Sequence, residues 1–176
     1  MSIDIGSVAP GFVLPDTRGE EWGPIGGAAS VIVFTCNHCP YALAWHDRLL
    51  AVARDYAGQG VRMLLICAND AERYPHDSPD AMRERVEAEG PWPAPYLHDE
   101  SQDVARAYGA TVTPEVFVLD ADGKVRYRGA PDADHDDPAQ NATWLRNALD
   151  TVLGGEPVVE AVTQPVGCSI KWRDPA

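Results

Sequence analysis

From Ser30 to Thr35 the chain reads SVIVFT, and from Val61 to Cys67 it reads VRMLLIC. Apolar runs this short and this rich in β-branched residues fit strands buried on both faces, the usual condition of parallel strands. Between them the pattern turns helical. Ala42, Trp45, Leu49, Val52, Ala53 and Tyr56 recur at helical spacing, so a helix from about Cys39 to Gly58 is predicted to turn that face to the core. Ser78 and Pro79 supply an N-cap and a first-turn proline for a helix to about Glu89, where Gly90 stops it. A short helix follows over Ser101 to Tyr108 and closes at Gly109. The segment TPEVFVLDADGKVRYRG reads as a hairpin turned through Asp122 and Gly123. A last helix is predicted from near Pro138 to Gly154, with Trp144, Leu145, Ala148, Leu149 and Val152 inward, and the tail to Ala176 reads as extended.

This order of elements predicts an α/β fold: a central mixed β-sheet with helices on both faces, an N-terminal extension and an extended C-terminal tail. A chain of 176 residues with 45% hydrophobic content suits one well-buried domain, with its core at about 9–153 and the tail at 154–176. The net charge of −13 repels phosphate backbones and anionic lipid surfaces, so neither nucleic acid nor membrane is an expected partner. The start, MSIDIGSVAPGF, has no basic n-region, and no uncharged stretch approaches the roughly 20 residues of a membrane helix. A cytoplasmic location and a monomer are the expectation. The segment Gly129 to Gln140, where aspartates surround His135, reads as an exposed acidic loop.

The candidate chemistry sits in VIVFTCNHCPY, where the first strand hands over to its helix. The cysteines are too few to staple a secreted scaffold of this length, which points a paired C-x-x-C to catalysis or metal binding. Unpartnered amides and the dipole at a helix start favour an anion, so Cys36 is the expected thiolate. Lowering a thiol from about 8.5 to about 7 raises its thiolate fraction at neutral pH from roughly 3% to about half. Cys39 lies one turn on, within disulfide reach. A protonated His38 would favour thiolate over disulfide and make the couple more oxidising. Zinc is the rival reading, but C-x-x-C supplies two of four ligands, leaving His38, His135 or Cys168 to complete a site. Cys67 ends an apolar run and reads as an inert buried thiol. His46, His76 and His98 have no spacing partner and read as surface or locally bonded side chains. Cys168, in QPVGCSIKW, is a candidate third redox thiol. Gly167 permits a tight turn, and Ile170 and Trp172 alternate with Ser169 and Lys171 as in a docked extended segment able to reach the active-site end.

Over Ala9 to Leu153 the sequence resembles the thioredoxin superfamily, and more closely its thioredoxin-like and peroxiredoxin-like redoxin branch. The resemblance is carried by APGFVLPDTRG, FTCNHCPY, VTPEVFVLDADGKVRYRG and VGCSIKW. It implies a thioredoxin-like fold in which Cys36 attacks and Cys39 resolves. It also implies that Thr113 precedes a cis-proline, Pro114, with the Thr113 backbone, Pro114 and Thr35 on the substrate-binding side. Thr35 stands where thioredoxins carry tryptophan, and Ala29 and Val33 stand where the peroxiredoxin pattern has proline and threonine. The implied activity is thiol-disulfide exchange on a protein or small-molecule disulfide, with an unidentified thiol reductant and no cofactor. The alternatives are a thiol peroxidase that uses Cys36 as its peroxidatic thiol and a metal-binding or metal-carrier protein using Cys36 and Cys39.

Overall fold

The computed structural model describes residues 2–175. Leu14–Pro15 (β1) and Glu21–Trp22 (β2) pair into a small antiparallel ribbon. Its turn is tied by Asp16, which accepts from the Arg18 and Glu20 amides and from Trp22 Nε1. The chain then forms β3 (Ala29–Phe34), α1 (Pro40–Ala57), β4 (Val61–Cys67), α2 (Pro79–Glu89) and β5 (Tyr96–His98). It continues through α3 (Asp103–Tyr108), β6 (Val112–Thr113), β7 (Glu115–Asp120), β8 (Val125–Gly129), α4 (Thr143–Leu153) and β9 (Cys168–Ser169).

The main sheet has the order β5-β4-β3-β7-β8. β3 and β5 run parallel to β4, while β7 is antiparallel to β3 and β8 antiparallel to β7, so the predicted mixed sheet is present. Every residue of β3 is buried, because its alternating side chains meet a layer on each face. Ala29, Val31 and Val33 join the core under α1, α2 and α4. Ile32 and Phe34 join the opposite core, where α3 shares the cover with Ala9, Leu14 and Ile170. Helices therefore stand on both faces, and on the second face the N-terminal segment and the tail complete the layer.

Three features depart from the pattern-based expectation. The last helix begins at Thr143, not near Pro138: Pro138–Gln140 is a 3-10 turn, and Asn141 and Ala142 follow with φ of 53° and 52°. The Ala142 amide donates to Asp132 at 2.8 Å, a tertiary bond that outweighs the local helix-start signal. Second, the acidic segment is exposed only in its later half, for Gly129 to Asp132 are buried. Asp132 accepts from Trp45 Nε1 at 2.8 Å and from Arg48 Nη1 at 3.0 and 2.9 Å, which anchors this loop to α1. Third, His46 is buried and packs its ring 4.6 Å from that of Trp92. Among the described residues no helix is long and apolar enough to cross a membrane.

The tail is docked. Gln102 Nε2 donates to the carbonyls of Ala68 and Lys171, and Gln102 Oε1 accepts from the Arg173 amide. The Asp70 amide donates to Lys171 O, and the Lys171 amide to Asn69 Oδ1. This run carries β9 to β6, where Val112 pairs with Ser169 and Thr113 with Cys168.

Candidate active site

β3 ends at Phe34, and the Thr35 amide continues its ladder by donating to Ile66 O at 2.8 Å. Cys36, Asn37 and His38 form the turn that follows. Cys39 is the N-cap of α1, with Pro40 in the first-turn position where a missing N–H costs nothing. At the start of the neighbouring strand the cis Thr113–Pro114 peptide joins β6 to β7 and brings Thr113 against the motif. The Thr113 hydroxyl is 3.5 Å from Cys36 Sγ, and the Thr113 carbonyl accepts from Cys39 Sγ at 3.2 Å.

One residue thus meets the two sulfurs with different groups. Both cysteines are reduced and buried, and their sulfurs interact directly. They titrate as a coupled pair, one ionisation drawn below the ordinary thiol range by their mutual interaction and the other pushed far above it by that interaction and then by burial. A carbonyl can only accept, so the contact with Thr113 O keeps the remaining proton on Cys39. The Thr113 hydroxyl and the His38 amide face Cys36, while burial and Asp77 disfavour charge on it.

Asp77 is the residue that sequence reasoning missed. It ends the Pro75–Asp77 3-10 turn, and no part of its side chain reaches solvent. Its Oδ1 accepts from the Asn37 amide at 2.7 Å and its Oδ2 from Asn69 Nδ2 at 2.9 Å. Oδ2 also lies 2.5 Å from His38 Nδ1, and the His38 ring stacks parallel on Tyr74. Asn37 is fixed in turn, for its Oδ1 accepts from Tyr96 Oη at 2.9 Å and from Arg85 Nη1 at 3.0 Å. Both residues between the cysteines are therefore held by the β4–α2 connection. In the sequence Asp77 is one acid among many; only the fold sets it apart.

The fold brings Cys36, His38, Cys39 and Thr113 together, and Cys168 joins them. Its Cα is paired with that of Thr113, and its sulfur stands close enough to Cys39 for each to shift the other's ionisation. Gly167 makes the approach feasible, since a Cβ there would lie only 2.0 Å from Thr113 O. The consequence for binding is direct: the Thr113 edge offered to an incoming extended chain is occupied by the protein's own tail. Thr35 and Pro114 are buried as well. Cys67 is fully enclosed, and burial first, then Asp77, push its thiol up to about 12. The His135 ring packs 4.4 Å from that of Tyr41 and 5.7 Å from that of Trp45. As possible metal donors, Cys36 Sγ, a His38 ring nitrogen and an Asp77 oxygen lie within 4.8 Å of one another.

The AhpC/TSA family matches residues 5–128. The chain belongs to the AhpC/TSA family. An uncharacterized conserved protein from Geobacillus kaustophilus is 40% identical, with 98% of this chain and 94% of that one covered and a TM-score of 0.88. A hypothetical protein from Sinorhizobium meliloti 1021 is 35% identical, with 99% and 98% covered and a TM-score of 0.91. A candidate thiol:disulfide interchange protein DsbE from Chlorobium tepidum shares the thioredoxin-like fold at 23% identity, with 87% and 100% covered and a TM-score of 0.67. No curated protein matches the sequence. This AhpC/TSA chain thus joins a thioredoxin-like fold to a C-x-x-C pair at the strand-to-helix junction.

Proposed function

We propose that this AhpC/TSA-family redoxin is a thiol-disulfide oxidoreductase. The Cys36 thiolate attacks one sulfur of a substrate disulfide, so a mixed disulfide forms and the other substrate sulfur leaves as a thiolate. Cys39 then loses its proton, attacks Cys36 Sγ and closes the internal bridge, releasing the second substrate thiol. A dithiol reductant restores the pair. The observation that carries this reading is the division of labour at Thr113, whose hydroxyl meets Cys36 while its carbonyl holds the Cys39 proton. This asymmetry supports Cys36 as the attacker and Cys39 as the resolver. With Cys36 only 1% exposed and the Thr113 edge occupied, a small disulfide or a single exposed protein disulfide fits better than a long extended peptide.

A thiol peroxidase would use the same sulfur, oxidised by peroxide to a sulfenic acid that Cys39 resolves. Against it stand Ala29 and Val33, both side chains packed inside β3 with no hydroxyl to offer a peroxide. Glutathione disulfide reduction and hydrogen peroxide consumption, followed on one purified sample, decide between them. The expected result is faster disulfide turnover that falls at least 100-fold in Cys36→Ser. Peroxide consumption outpacing disulfide reduction would replace this reading with the peroxidase.

The carrier reading draws on the Cys36, His38 and Asp77 donors. It would have to engage the His38–Asp77 pair, whose atoms already stand 2.5 Å apart. Elemental analysis of the purified, reduced protein tests it: stoichiometric zinc that Cys36→Ser lacks would favour the carrier.

A further inference from the structure

The three clustered thiols differ in access. Cys36 and Cys39 are enclosed, whereas Cys168 is half-buried and packs on the same core from the outside. A bridge between Cys36 and Cys39 would leave both sulfurs under the Thr113 strand and its β9 cover. An external reductant therefore meets the cluster first at Cys168.

We propose, building on the oxidoreductase reading above, that Cys168 is a third catalytic thiol that relays reducing equivalents to Cys39 through a Cys39–Cys168 disulfide. Its placement is built into the fold. Cys168 is the register partner of Thr113, the residue that touches both motif sulfurs, and Gly167 brings the strand within contact of the Thr113 carbonyl. The bonds from Gln102 to Lys171 and Arg173, and from Lys171 to Asn69, hold the far end of the segment. The cysteine is thus held on both sides of β9, paired with the residue whose carbonyl accepts from Cys39 Sγ.

The steps balance. In the oxidised enzyme the Cys168 thiolate attacks Cys39 Sγ; the Cys39–Cys168 bond forms, the Cys36–Cys39 bond breaks, and Cys36 leaves with the electron pair and takes up the proton that Cys168 gave. No net oxidation occurs in this exchange. One thiolate of an external dithiol then attacks the accessible Cys168 Sγ and Cys39 leaves. The second thiol of the dithiol closes its own disulfide and frees Cys168, so two electrons pass from the dithiol to the enzyme. In the fully reduced chain, burial first and then the Cys39 thiol push Cys168 up to about 11, which keeps it protonated and idle. Incorporating Cys39 into a disulfide removes the second of these causes.

Two measurements on the full-length protein test the relay. Cys36→Ser treated with one equivalent of diamide and digested with trypsin should give a major cross-linked species joining the peptide that contains Cys39 to the one that contains Cys168. Absence of that cross-link in folded protein overturns the relay. In the second, the pre-oxidised protein is reduced with dithiothreitol, and Cys168→Ser should slow the reduction at least tenfold; an equal rate overturns it. The parent reading fails separately, by the absence of a mixed disulfide on Cys36 in Cys39→Ser.

Discussion

His38 Nδ1 and Asp77 Oδ2 stand 2.5 Å apart, and the carboxylate side of this pair is sealed from solvent. An imidazole from the motif and a buried carboxylate from the β4–α2 connection are thus placed next to Cys36. Their removal should move the couple in opposite directions.

Asp77→Asn removes the negative charge that raises the Cys36 thiol and keeps the side-chain oxygen that bonds the Asn37 amide. The midpoint of the pH profile for iodoacetamide alkylation of Cys36 is expected to fall, and the couple to become more oxidising. A midpoint that rises would mean that Asp77 assists the thiolate.

His38→Pro removes the imidazole that pairs with Asp77 and leaves that carboxylate facing Cys36 alone. The couple should become more reducing, by at least about 30 mV, equivalent to about 1.4 kcal/mol for two electrons. Equilibration against glutathione measures this; an unchanged or more oxidising potential would remove His38 from the redox role.

Asp132→Ala should destabilise the fold by about 3–5 kcal/mol, because it strands the buried Arg48 guanidinium and leaves Trp45 Nε1 and the Ala142 amide without their acceptor. Urea unfolding followed by tryptophan fluorescence checks this. A loss below about 1 kcal/mol would class the Asp132 cluster with ordinary surface pairs.

His46 gives the stability a pH dependence. Burial first, and then Arg85, lower its folded-state value to about 4, with Glu89 and Asp47 opposing and Trp92 packed on the ring. The unfolded chain, near 6.5, takes up a proton that the folded chain refuses, so this contribution is present above pH 6.5 and is lost as the pH falls toward 4. Between pH 6.5 and 5 the loss is about 2 kcal/mol. Urea midpoints for His46→Phe should fall less over that range than those of the parent protein; parallel curves would assign the acid lability to the carboxylates.

Much of the fold was legible because buried strands and one-faced helices leave periodic signals. β3, α1, β4 and α2 lie close to where apolar spacing, Ser78 and Pro79 put them. The start of α4 was not legible, since it depends on a bond from Ala142 to an aspartate ten residues earlier. The same holds for the acidic segment: charge pattern alone cannot reveal that Asp132 meets Arg48 from another element. At the site, the C-x-x-C pair, Thr113 and the arrival of Cys168 could be anticipated from motif, resemblance and chain reach. Asp77 could not, because its importance comes from a turn that places one acid under His38.

The most direct test of the central claim is to trap the exchange intermediate. Cys39→Ser, reacted with glutathione disulfide and mapped by mass spectrometry, should carry one glutathione on Cys36, whereas Cys36→Ser under the same conditions should leave Cys39 unmodified. Glutathione on Cys39 in Cys36→Ser, with none on Cys36 in Cys39→Ser, would reverse the roles of the two sulfurs, and no adduct on either would contradict disulfide exchange at this site.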